Sequence, residues 1–72
     1  MIEIFRTNIR HKEAGKKVLT ALREALPGVV ATLELEHADK VLRVVGAWAP
    51  VLTSRVIEVV KNQGFECEYL HD

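Results

Sequence analysis

The pattern that most restricts the fold of this chain lies in its middle. "VATLELE" (Val30–Glu36) alternates strictly, with Ala31, Leu33 and Leu35 on one face and Thr32, Glu34 and Glu36 on the other. That is the period of a strand buried on one side only. "HADK" (His37–Lys40) follows, where Asp39 can bond nearby backbone in a tight turn, and "VLRVV" (Val41–Val45) returns as a second strand. A hairpin is expected there, and the flanking segments must cover one of its faces.

The two flanks repeat each other. "IEIFRT" (Ile2–Thr7) reads as a strand, and Ala14, Val18, Leu22, Ala25 and Leu26 then recur at helical spacing, with Lys16, Lys17 and Arg23 outward. Pro27 cannot continue that helix, and Gly28 accepts the left-handed turn that ends it. After the hairpin, "GAWAP" breaks the strand and a second helix is expected over roughly Leu52–Gln63, with Val56, Ile57, Val59 and Val60 as its apolar side. Its start is open between Pro50 as a first helical position and Thr53 as a cap. Gly64 stops it, and "FECEYL" (Phe65–Leu70) alternates as a last strand with Phe65, Cys67 and Tyr69 toward the core.

The order β-α-β-β-α-β makes two split β-α-β halves, an α+β ferredoxin-like sandwich over residues 1–72 as one domain. Right-handed crossovers place four antiparallel strands in the order 4-1-3-2, with two helices on one face. Strands two and four become the edges, and their glutamates discourage edge-to-edge pairing. The layout gathers Asn8–Lys12, His37–Lys40 and Asn62–Phe65 at one end of the sheet. Pro27–Gly28, Trp48 and His71 go to the other end, where Trp48 is expected to cover the core near Leu26.

Composition limits function. Ten Lys+Arg balance ten Asp+Glu, whereas a nucleic-acid binder needs a cationic surplus to displace counterions. Strand three also lacks the aromatics on which RNA-recognition modules stack bases. No apolar stretch is long enough to span a membrane and no leader-like segment is visible, so a soluble cytoplasmic protein is expected. The lone Cys67 excludes an internal disulfide and a cysteine-only zinc knuckle. No Ser–His–acid set, paired inward carboxylates or activated thiol points to an enzyme.

Several residues carry candidate chemistry. His11, at the turn into the first helix, reads either as a metal ligand or as an exposed polar residue. With His37 from the hairpin and Cys67 from the last strand it offers zinc-type ligands, enough for a weakly held zinc or copper ion. Cys67 alone reads as a small core hydrophobe, since a metal or redox role requires solvent access that its alternation with Phe65 and Tyr69 does not promise. Arg10, Lys12 and Lys16 crowd the first helix N-terminus, where they could assist an anion or recruit an acidic protein partner. With Ile2 and Ile4 inward, Phe5 falls on the open sheet face beside Arg43, Val41 and Val45, forming a partner or homodimer surface. A bulge in the first strand would bury it instead.

"VLTAL" (Val18–Leu22) and "VIEVVKNQGFEC" (Val56–Cys67) resemble the corresponding segments of the heavy-metal-associated domain family, the fold of small copper chaperones and of the N-terminal modules of metal-pumping ATPases. The resemblance spans nearly the whole chain and implies metal-ion handling. The family's first turn carries Met-x-Cys-x-x-Cys. Aligned through Val18, Ile9 stands at the methionine, His11 at the first cysteine and Ala14 at the second. Two thiolates at a helix N-terminus suit Cu(I) or Zn(II) because they are soft and readily deprotonated there. An imidazole and a methyl group do not replace them, so tight Cu(I) binding is not expected. Ile9 can still plug the core as the methionine does.

Overall fold

The hairpin strands pair as the alternation requires. In the computed structural model, which describes residues 2–36, 38–47 and 51–70, β2 (Val29–Glu34) runs antiparallel to β3 (Val41–Gly46) with Leu33 opposite Leu42 and Ala31 opposite Val44. β1 (Ile2–Thr7) lies on the other side of β3, and β4 (Cys67–Tyr69) pairs with β1. The sheet order is β2-β3-β1-β4, the expected 4-1-3-2 read from its other edge. Expectations attached to His37, Trp48, Pro50 and His71 lie outside the described residues.

Helix α1 spans Lys12–Ala25, with Glu13 in its first turn and Arg23 in its last, each sign complementing the helix dipole. Val18 and Leu22 point inward, and Gly28 carries the expected positive φ of 94° after the helix stop. Helix α2 spans Thr53–Asn62 and buries Val56, Val59 and Val60; Gly64 follows it at φ 92°. Thr53 is the first helical residue rather than the cap, and its hydroxyl donates to the Glu3 carboxylate. Both helices pack on one side of the sheet over Phe5, Ile9, Leu42 and Val44, all fully buried. Each such side chain contributes about 1.5–3 kcal/mol by leaving water.

The phase of β1 corrects one expectation. Phe5 is 0% exposed and sits in the core, while Ile2 is 59% exposed on the open face. No bulge is involved. Glu3, Phe5 and Thr7 simply share the inward parity, with Glu3 at the rim satisfied by Thr53. A phenylalanine buries more apolar area than an isoleucine, and its ring meets Tyr69 at 5.6 Å between centroids. Phe5 therefore leaves the predicted partner surface, and Ile2 and Ile4 enter it.

Candidate functional site

The first turn is built by residues just outside the positions that the resemblance singles out. Thr7 is the last residue of β1 and is only 7% exposed, a buried hydroxyl that needs partners. It donates to the Lys40 carbonyl at 2.7 Å and accepts from the Ile9 amide at 3.3 Å. The Thr7 amide donates to the carbonyls of Asp39 and Lys40, both at 3.2 Å. On the other side the Asn8 carboxamide oxygen accepts from the Glu66 amide at 2.8 Å. One short segment thus fastens the β1–α1 turn to the hairpin and to the α2–β4 turn. The three loops meet at one end of the sheet, as the topology predicts.

Ile9 is fully buried and plugs the core beneath this turn. His11 is the N-cap of α1, exposed, with no side-chain capping bond; its carbonyl accepts the first helical bond from Gly15 at 2.9 Å. Ala14, one helical turn on, is half-buried. The two positions therefore stand about one turn apart at the mouth of α1.

Cys67 is 7% exposed and directly opposite Thr7 across the β1–β4 pair. Burial pushes its thiol up to about 11, only partly offset by Lys61. A protonated thiol is a poor metal ligand and nucleophile. It lies at the inner wall of a surface groove of about 540 Å³ shared with Arg6, Thr7, Lys61, Glu66 and Glu68. Among the described residues, no three His, Cys, Asp or Glu side chains come together to hold a metal ion. The donors at the turn do not fit a thiolate copper site: one exposed imidazole, one methyl group, and a sulfur held protonated in the core.

The predicted partner residues fall into two groups. Arg10 and Lys12 are exposed at the turn, and Arg10 shares a shallow groove of about 350 Å³ with Thr7, Asn8, Ala38 and Lys40. Arg43 lies in the middle of the open sheet face, paired with Glu34 at 3.2 Å. Thr7 and Asn8 were missed by sequence reasoning because each reads as ordinary strand-end polarity. The signal available was a small hydroxyl and a carboxamide in succession between a strand and a helix, the residue types that bond local backbone.

The architecture is that of a heavy-metal-associated-like domain. The chain superposes on the yeast copper transporter domain Ccc2a, solved in solution in its apo and Cu(I)-loaded states, with a TM-score of 0.79 and 25% sequence identity. The match covers 99% of this chain and 96% of that one. A second solution structure of the same yeast domain gives a TM-score of 0.78 at the same identity. No protein-family model and no curated protein matches the chain. No helix among the described residues is long and apolar enough to cross a membrane.

Proposed function

We propose that the protein is a small heavy-metal-associated-type binding domain of the cytoplasm, not an enzyme, that serves metal-ion handling through protein docking rather than through tight thiolate coordination of Cu(I). The likeness to a copper transporter domain over nearly the full length of both chains supports the metal-handling class. The observation that carries the rest is the state of the first turn. Its shape is held by Ile9 in the core and by the Thr7 and Asn8 bonds to the neighbouring loops, so it needs no bound ion to assemble. Arg10 and Lys40 share a groove there, and Lys12 is exposed at the start of α1, a basic set suited to an acidic protein surface.

The test is titration of the protein with Cu(I), Zn(II) and Ni(II) followed by native mass spectrometry, repeated on His11→Ala. The expected result is no stoichiometric binding below about 1 μM, a free energy of roughly 8 kcal/mol. Tight one-to-one binding that disappears in His11→Ala would instead establish a metal carrier with altered ligands. His11→Cys with Ala14→Cys is expected to gain tight Cu(I) binding, because the backbone that would present the two sulfurs is already in place.

A further inference from the structure

The open face of the sheet carries an ordered pattern that the turn does not use. Register places three rows across β1, β3 and β2: Ile2–Val45–Val30, Ile4–Arg43–Thr32 and Arg6–Val41–Glu34. The first row is wholly apolar, and its two outer members are 59% and 55% exposed. Contiguous apolar side chains at a sheet surface mark a contact site more often than isolated ones do. The charges in the other rows are already balanced within the chain, Arg43 by Glu34 and Arg6 by Glu68 and Asp39. A face with no net charge does not call for a strongly acidic or basic partner.

We infer that this face binds a second copy of the same chain, with the two-fold axis running along β3. Such an axis lays β1 of one copy over β2 of the other and β3 over its own counterpart. Ile2 then meets Val30 of the other copy, and Val45 meets Val45, so the exposed apolar row covers itself. At the opposite end Arg6 meets Glu34 in both directions, across Val41, which is already buried within each copy. The match is isologous, as a two-fold interface requires. Of the charged side chains only Arg43 faces its equal, and each copy already pairs it with Glu34 at 3.2 Å. The broad dimensions of the molecule are 29 × 27 Å, and an axis on β3 leaves β4 overhanging. The shared area is therefore less than the roughly 800 Å² per partner of a standard interface and fits a weak, reversible dimer. Sheets stacked this way keep their strands within about 30° of each other.

Sedimentation of the intact chain over a concentration series, with circular dichroism to confirm the fold of every variant, tests the inference. The wild type is expected to dimerise in the micromolar range. Val30→Lys, at an exposed position, is expected to weaken the dimer at least about tenfold. Glu34→Arg and Arg6→Glu are each expected to be monomeric alone, since each places like charges opposite one another. Mixed in equal amounts they are expected to form the heterodimer, because both crossed pairs are then complementary. A wild type that stays monomeric up to about 1 mM overturns the inference. So does a dimer indifferent to Val30→Lys, or a mixture of the two charge variants that fails to associate.

Discussion

The loop end and the open sheet face are assembled on opposite physical terms. At the loop end, polar groups hold three connections together: Thr7 reaches Lys40 and Ile9, and Asn8 reaches Glu66. The open face carries ion pairs between exposed side chains, Arg43–Glu34 and Arg6–Glu68, but its apolar row has no such ties. Its order comes from strand register alone, which lines up Ile2, Val45 and Val30 and leaves Ile2 and Val30 largely in water, with Val45 half-buried between them. A surface fixed by internal hydrogen bonds can present a defined shape without a ligand. A surface of aligned apolar side chains is instead incomplete until something covers it. The first suits recognition through preset charge, and the second suits association through burial.

The sharpest way to break this comparison is to exchange the two sides of β1. Phe5→Ala is expected to remove about 3–5 kcal/mol, because a fully buried ring leaves a cavity between sheet and helices. Ile2→Ala, three residues away on the open face, is expected to change monomer stability by under about 0.5 kcal/mol. Urea unfolding at low protein concentration reads both. A larger loss for Ile2→Ala than for Phe5→Ala would mean that Ile2, not Phe5, packs inward. The Phe5 variant can be measured as the lost fraction folded at zero denaturant, since a domain of this size has little stability to spare.

That experiment also bears on how much of the fold was legible in the sequence. The inward parity of β2 and β4 is legible because each is an edge strand with apolar residues on one parity and glutamates on the other. Their ends are less so: β2 ends at Glu34 rather than Glu36, and β4 shortens from Phe65–Leu70 to Cys67–Tyr69. β1 is different: Ile2 and Ile4 occupy one parity and Phe5 the other, so alternation within Ile2–Thr7 does not decide between them. The deciding information lies further along, where Phe5, Thr7 and Ile9 continue a single buried parity into the turn. The topology was fixed by helix stops and crossover handedness, which act locally and leave clear residues such as Gly28 and Gly64. The site was less legible. Hydrogen bonds from Thr7 and Asn8 join residues 33 and 58 positions apart, and no spacing rule along the chain encodes such pairings.

Thr7→Val sharpens the contrast from the loop side. The substitution keeps the volume and removes the hydroxyl, leaving the Ile9 amide without its side-chain partner and weakening the tie to Lys40. The expected cost is about 1–3 kcal/mol, since a buried donor is left unmade. The same change at Thr32, exposed on the open face, is expected to be nearly neutral. Amide hydrogen exchange separates the two: Ile9 is expected to lose protection in Thr7→Val and to keep it in Thr32→Val. Unchanged exchange at Ile9 would show that the turn is held by core packing alone.

Cys67 gives the smallest and most pH-specific effect. Its thiol is raised from 9.0 to about 11 by burial, so between those values the unfolded chain releases a proton that the folded chain retains. The native state then binds more protons than the unfolded state, and unfolding free energy falls as pH rises through that window. The contribution is complete below about pH 9 and gone above about pH 11, and contact with the adjoining groove keeps it to about 1–2 kcal/mol. Thiolate absorbance in the folded protein is expected to rise with a midpoint near 11, and Cys67→Ala is expected to remove this component of the alkaline stability loss. A midpoint near 9 would put the sulfur in water, at the surface of the loop end rather than beneath it. A second donor could then reach the sulfur from the turn, and the distinction between a self-fastened loop cluster and a ligand-ready one would disappear.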